Sequence, residues 1–144
     1  MTAQYQQDFY SWVYNQAQLL REKKFDQVDW EHLIEEVEDL GRSEYRAFVS
    51  ALEQLTLHLL KWQYQKELRS PSWRHSIDKQ RIQIERILED NPGLKKRIEE
   101  AIVQGYKYGR KGAIKETFLK EHIFPTACPY TWLELSDDNF LPDD

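Results

Sequence analysis

Apolar residues recur at helical spacing along most of the chain, and this pattern predicts an all-α fold. A first helix is predicted near residues 8–23. A second is predicted between Asp29, a good N-cap, and Gly41, which stands where a glycine commonly follows a helix end. Its apolar stripe consists of Trp30, Leu33, Ile34, Val37 and Leu40.

The longest apolar pattern begins at Ser43 and predicts a third helix that ends near Gln65. At about 1.5 Å per residue this helix would run roughly 35 Å, enough to be the central helix of a small domain. Its seam advances in alternating steps of three and four residues, as in coiled coils. The seam residues are Tyr45, Phe48, Leu52, Leu55, Leu59 and Trp62.

Two proline signals predict the starts of a fourth and a fifth helix. Ser70 before Pro71 is typical of an N-cap and a first helical residue, and Asn91 before Pro92 repeats the signal. Glycine inside a helix costs about 1 kcal/mol relative to alanine. A ladder of small residues in the fifth helix therefore predicts that another backbone packs closely against it. The ladder consists of Ala101, Gly105, Gly109 and Ala113.

The last segment, FPTACPYTWLELSDDNFLPDD, predicts an irregular tail with a short helix near residues 130–135. The residues expected to dock this tail are Trp132, Leu133, Phe140 and Leu141. No linker or repeat divides the sequence. We therefore predict one all-α domain over residues 1–144, a bundle of about five helices around one long central helix. Its ordered core is expected over about 8–135, with short frayed ends.

Composition agrees with a soluble helical domain. The chain has 144 residues, 40% of them hydrophobic, which is enough for a sizeable core. No basic leader, apolar signal region or stretch of roughly 20 apolar residues is present. Its one cysteine, Cys128, excludes an intrachain disulfide and a multi-cysteine zinc site. We expect a cytoplasmic protein that contacts no membrane and needs no cofactor.

Charge is segregated along the chain, although the net charge is only −5. Residues 1–60 carry 5 basic and 11 acidic groups, residues 61–120 carry 15 and 8, and residues 121–144 carry 6 acidic groups and no Lys or Arg. This asymmetry indicates either a middle segment that binds polyanions or segments that neutralise one another. The acidic flanks would oppose a polyanion, which favours neutralisation over nucleic-acid binding.

The stretch HLLKWQYQKELRSPSWRH at residues 58–75 is the best candidate binding region. It joins the end of the long helix to the start of the next, so Trp62 and Trp73 are expected to pack across the turn. Basic groups would fringe that contact and meet either the acidic second helix or an anionic group of a partner. The candidate binding residues are Glu35, Glu38, His58, Lys61, Trp62, Arg69, Trp73 and Arg81.

Metal and nucleophile chemistry has weaker support. His32 and Glu36 could reach one ion, but di-iron bundles need glutamates on several helices, and no metal site is predicted. Glu38 and Arg42 are better explained as a surface i,i+4 ion pair.

Cys128 has no neighbouring histidine to activate it, and the common phosphate-binding and hydrolase motifs are absent. Whether the protein is an enzyme stays open.

Several segments together resemble a bacterial family called domain of unknown function 29, which is frequent in cyanobacteria. In order along nearly the whole chain they are DFYSW, LLRE, LIEEVEDLGRSE, HLLKWQYQ, RSPSW, QRIQIERIL and FPTACPYTWLEL. The resemblance implies an all-helical bacterial domain and no assigned activity. The matched positions are Glu35, Glu36, Glu38, Gly41, Arg42, His58, Lys61, Trp62, Arg69, Trp73 and Arg81.

Three functions are open at this point. The first is a non-enzymatic interaction module, whose partner is another protein or a second copy of the chain. The second is a metal-assisted or acid–base hydrolytic, nuclease-like site. It would use Glu35, Glu38 and His58, with an anionic substrate held by Lys61, Arg69 and Arg81. The third and weakest is polyanion binding by the basic segment 61–120.

Overall fold

The computed structural model describes residues 2–143, and every regular element in that range is a helix. The α-helices are α1 (Thr2–Gln7), α2 (Phe9–Arg21), α3 (Trp30–Tyr64), α4 (Pro71–Asp90), α5 (Ile98–Thr117) and α6 (Trp132–Leu135). Short 3-10 helices occupy Phe25–Gln27, Lys66–Leu68, Pro92–Arg97 and Glu121–Ile123. None of these helices is both long and apolar enough to cross a membrane. The predicted all-α class with one long central helix is confirmed.

The second and third predicted helices are one helix, α3, which runs unbroken from Trp30 to Tyr64. Asp29 begins it as predicted, because its carbonyl oxygen accepts from the Leu33 amide at 2.9 Å and its carboxylate from the His32 amide at 3.5 Å. The predicted end at Gly41 is wrong. A glycine ends a helix when the chain leaves through a left-handed turn, and Gly41 has no positive φ. The helix instead continues through Gly41 into the segment that was predicted to be the third helix.

The contacts of the chain divide it into two compact units, Met1–Ser43 and Glu44–Asp144. The first unit contains α1, α2 and the first part of α3. The second contains the rest of α3 and the helices that follow. The prediction of a single domain over residues 1–144 stays a prediction.

α3 and α5 form the centre of the second unit. The middle of the predicted α3 seam is fully buried, and its ends are partly buried against the same core. The small-residue ladder of α5 packs on this helix. A Cβ atom built on Gly105 would lie 2.9 Å from Cβ of Leu52 and 3.1 Å from the amide nitrogen of Glu53. The predicted close approach of a second backbone is confirmed.

The two proline signals have different outcomes. Ser70 caps α4 as predicted, since its hydroxyl accepts from the Trp73 amide at 3.2 Å. The side chain of Asn91 is directed back toward α4, because its Nδ2 donates to the carbonyl of Ile87 at 3.0 Å. With that side chain used at the end of α4, Pro92–Arg97 forms a 3-10 helix and α5 begins only at Ile98.

The tail contains the predicted short helix, α6, which a capping box between Thr131 and Glu134 begins. Trp132, Phe140 and Leu141 pack against the core of the second unit. Leu133, also expected to dock, is 80% exposed, because a one-turn helix directs only one side at the core. α1 precedes the predicted ordered range 8–135, and Phe140 and Leu141 follow it. Met1 and Asp144, at the predicted frayed ends, lie outside the described residues.

Candidate functional site

Lys61, a predicted binding residue, is held by contacts inside the second unit. Its Nζ atom pairs with the carboxylate of Glu116 at 2.9 Å and lies 4.8 Å from the centre of the Trp73 ring. Only 12% of the Lys61 side chain is exposed. The counter-ion of Lys61 is therefore Glu116 on α5. The sequence had left open two other counter-ions, the acidic residues of the predicted second helix and an anionic group of a partner.

Arg69 lies on the ring of Trp62. Its guanidinium carbon is 5.0 Å from the ring centre, and its Nε donates to the carbonyl of Trp62 at 2.7 Å. Among the described residues the rings of Trp62 and Trp73 form no aromatic pair, and the expected packing of the two residues across the turn stays a prediction. Each ring face is occupied by a cation instead, Arg69 on Trp62 and Lys61 on Trp73.

Arg81 fixes the C-terminal tail to α4. The residue is only 3% exposed, and burial lowers the pKa of its guanidinium. Its nitrogens donate to the carbonyl oxygens of Leu135 at 2.9 Å, Phe140 at 2.8 Å and Glu134 at 3.1 Å. A cavity of about 360 Å³ beside it carries charges of both signs. The charged residues in its lining are Arg81, Glu85, Glu89, Lys95 and Asp138.

The residues proposed for a hydrolytic site belong to different units. His58, in the second unit, has its Nδ1 atom 2.8 Å from the carbonyl oxygen of Gln54, one turn earlier. Glu35 and Glu38 are exposed residues of the first unit. Their convergence with His58 stays a prediction. Within residues 2–143, no three His, Cys, Asp or Glu side chains come together so that they could hold a metal ion.

Asp29 is the centre of a hydrogen-bond network in the first unit. Its Oδ2 accepts from the Trp12 indole at 3.1 Å and lies 2.9 Å from Nδ1 of His32, whose ring stacks on Tyr5. Its amide donates to Oε1 of Gln16 at 2.8 Å. Burial opposes ionisation of Asp29, yet the hydrogen bonds from His32 and Trp12 hold its pKa below the usual value. The network ties α2 to the start of α3.

The carboxylates of α3 have partners that the spacing did not predict. The Tyr5 hydroxyl donates to Glu36 at 2.6 Å, and this hydrogen bond raises the pKa of Tyr5 to about 12. Glu36 therefore has its hydrogen-bond partner in α1. Arg42, predicted to pair with Glu38, donates through Nε to Asp39 at 2.9 Å. Glu38 is left exposed to solvent.

Side chains of α2 and α3 line a groove on the first unit, which we call the α2–α3 groove. Its volume is about 440 Å³. Its lining is apolar except for Gln16 and Glu36. The lining residues are Phe9, Trp12, Val13, Gln16, Ala17, Leu20, Leu33, Glu36, Val37 and Leu40. Gln16 is 1% exposed, and its Nε2 has no hydrogen-bond partner among the described residues, which costs about 1–3 kcal/mol for a buried amide.

The apolar residues in and around this groove are more exposed than the sequence predicted. Val37 is 59% exposed, Leu40 70% and Phe9 48%. Other large exposed side chains of the unit are Tyr10, Tyr14, Phe25, Trp30 and Ile34. The apolar stripe that the sequence predicts on this part of α3 is therefore present, but much of it is exposed to solvent.

The sequence contains one signal of this groove that was missed. Apolar residues stand at consecutive positions in both helices, as in Phe9–Tyr10, Val13–Tyr14 and Leu33–Ile34. Neighbouring residues lie about 100° apart around a helix, so both members of such a pair cannot face one narrow seam. A second apolar face on each helix follows from that spacing.

The family model described as "Domain of unknown function DUF29" matches residues 4–141. No significant match was found among curated proteins or among solved structures.

Proposed function

The chain belongs to the family described as Domain of unknown function DUF29, and because that description assigns no activity, we propose from the surface of the first unit that this is a protein-interaction module. The α2–α3 groove receives an amphipathic α-helix of another protein. The observation that carries this proposal is the exposure of Phe9, Val37 and Leu40 in the lining of an almost wholly apolar groove.

Apolar surface of this kind favours burial by a partner. Covering it stabilises a complex by about 25 cal/mol per Å² removed from water, before the entropy cost of association is subtracted. Large contiguous apolar patches on soluble proteins commonly mark interaction sites. Here the patch includes Ile34 and Trp30 beside the groove, both about half exposed.

The shape of the groove supports a helix as its occupant. Its walls are two helices, and a third helix can pack its side-chain ridges between theirs. Helix-in-groove recognition uses apolar anchors at positions i, i+3 or i+4, and i+7. The α2 wall from Phe9 to Leu20 spans roughly 16 Å at about 1.5 Å per residue, which matches an occupant of about three turns.

A second copy of the chain fits this groove less well than a different protein. A two-fold dimer places the same surface against itself. The first part of α3, from residue 30 to residue 43, carries five carboxylates and one cation, Arg42. Of these, Glu36 lines the groove, and a two-fold pairing would bring two copies of this carboxylate into one apolar contact, which is unfavourable.

The test uses an uncharged amphipathic peptide of about 14 residues, with Leu at i, i+3, i+7 and i+11 and Gln or Ala elsewhere, titrated into ¹⁵N-labelled protein. We expect the chemical shifts of the groove-lining residues to change as the peptide is added. The double variant Val37→Gln/Leu40→Gln should lose them. Val103→Gln is the matched control, because Val103 is 69% exposed on α5 in the second unit.

Two results would overturn the proposal. One is a peptide that leaves the groove residues unshifted in the wild type. The other is a stable dimer in analytical ultracentrifugation that Val37→Gln/Leu40→Gln dissociates and Val103→Gln does not, since the occupant would then be a second copy.

A further inference from the structure

Another cavity of the second unit lies where α5 faces the loop at residues 126–128, and we call it the α5 pocket. Its volume of about 440 Å³ is within the range of small-molecule sites. Three of its lining residues are cations, Lys107, Arg110 and Lys111, and none is a carboxylate. The other lining residues are Val103, Tyr106, Thr126, Ala127 and Cys128.

The three cations have no acidic partner, since none of them forms a salt bridge within residues 2–143. The ammonium groups of Lys107 and Lys111 each lie 5.4 Å from the centre of the Tyr108 ring. From Ala101 to Lys115, α5 carries four cations and no carboxylate. Like charges one turn apart on a helix repel each other, and a bound anion relieves that repulsion.

Arg110 is held in place by backbone carbonyls that follow α5. Its Nε donates to Phe124 at 3.2 Å, and its Nη2 donates to Phe124 at 3.1 Å and to Glu121 at 2.8 Å. Its Nη1 has no protein acceptor among the described residues. The backbone amides of residues 126–128 also donate to no protein acceptor in that part of the chain. A fixed guanidinium and unpaired N–H groups are donors with which proteins bind anions such as phosphate.

The acidic groups around the α5 pocket do not neutralise it. Burial raises the pKa of the Cys128 thiol, and the charges of Glu134 and Glu99 add to this effect, so both carboxylates act at this end of the pocket. Neither of them lines the pocket, and neither pairs with its cations. The lining therefore stays positively charged, in a protein whose net charge is −5.

From these observations we infer that the α5 pocket binds a small organic phosphate, independently of the function proposed for the α2–α3 groove. A phosphate monoester has nearly two negative charges at neutral pH and three acceptor oxygens, which match three cations better than the single charge of a carboxylate. From Lys107 to Lys111 the helix rises roughly 6 Å at about 1.5 Å per residue, which suits one phosphate group and not an extended polyanion. The organic part of the ligand packs on Val103 and Ala127.

The experiment titrates phenyl phosphate, inorganic phosphate and phenol separately into the ¹⁵N-labelled full chain at about pH 7.5, where the ester has nearly two charges. We expect phenyl phosphate to change the chemical shifts of residues 126–128 and of the pocket-lining part of α5 in a saturable way. Inorganic phosphate should change the same signals with an affinity at least about fivefold lower, because it lacks the apolar part. Phenol, which has no charge, should leave these signals unchanged.

Variants of the pocket separate specific binding from general attraction to lysine side chains. Lys107→Gln/Lys111→Gln should weaken phenyl phosphate binding about fivefold. Lys79→Gln/Lys96→Gln is the matched control, because it removes two exposed lysines of the same unit that do not line the pocket, and it should keep the affinity. Ala127→Glu places a carboxylate at an exposed position of the lining and should abolish binding, with circular dichroism as the check that the variant is folded.

Three results would overturn the inference. The first is phenyl phosphate that leaves the signals of residues 126–128 unchanged. The second is an equal loss of affinity in the two lysine double variants, since binding would then be attraction to any surface cation. The third is equal affinity for phenyl phosphate and inorganic phosphate, because the pocket would then recognise free phosphate and no organic part.

Discussion

A Cβ atom built on Gly109 of α5 would lie 2.8 Å from the carbonyl oxygen of Glu53 on α3. The same atom would collide with the hydroxyl of Thr56, which already donates to the carbonyl of Leu52 at 2.9 Å. Neither obstacle moves easily, because one is helix backbone and the other is a fully buried side chain. The spacing of α3 and α5 depends on the absence of a side chain at Gly109.

Gly109→Ala should therefore destabilise the protein, by about 1–3 kcal/mol as overpacked cores do. Gly41→Ala is the matched control. Gly41 also lies inside a helix, but its Cβ would meet nothing within 4 Å. Alanine there should stabilise by roughly 0.5–1 kcal/mol, since it is the better helix former. Urea unfolding of both variants measures the two changes. Equal effects would contradict the close contact at Gly109.

The single thiol, Cys128, should react slowly in the folded protein. Burial raises the pKa of Cys128, and the reactive species is the thiolate. At about pH 8 we expect a thiol reagent to modify it at least about tenfold more slowly than the urea-unfolded chain, in which the pKa is near 8.5. The unfolded chain is the control. Equal rates would show that the thiol is not buried and that its pKa is not raised.

Much of the fold follows from local sequence signals. The α3 seam, the Ser70 cap and the small-residue ladder are each fixed by neighbours in sequence or by one repeated spacing, and all are confirmed. The end predicted at Gly41 is wrong because glycine permits a turn without requiring one. Whether a helix continues there depends on the packing on either side of the glycine.

The groove is harder to predict for a different reason. Periodicity shows which residues share a face of α3, but not whether that face has a partner within the chain. Val37 and Leu40 look like core residues by spacing, and only the structure shows them exposed. Likewise, Lys61 and Arg81 look like ligand-binding cations by residue type. Their partners, Glu116 and the carbonyls of the tail, are distant in sequence.

Arg81→Met should loosen the C-terminal tail. It removes the donors to three carbonyl oxygens in or near the core, and each buried acceptor left unpaired costs about 1–3 kcal/mol. We expect a loss of roughly 3 kcal/mol in unfolding free energy and faster proteolysis within residues 132–143. Arg86→Met, on the exposed side of the same helix, is the control. If the two variants unfold alike and their tails are cleaved at the same rate, Arg81 does not hold the tail.

Asp29→Asn should destabilise the first unit in a pH-dependent way. The pKa of Asp29 is lowered in the folded protein despite burial, because His32 and Trp12 donate to its carboxylate. A lowered pKa contributes stability above the unfolded value, about 3.9 for Asp, and this contribution is lost as the pH falls through the folded value. The Tm difference between wild type and Asp29→Asn should therefore be larger at about pH 5 than at about pH 3. Asp26→Asn, an exposed neighbour, is the control and should show little change in either condition. A difference that stays constant between these two pH values would mean that the carboxylate charge of Asp29 contributes nothing to stability.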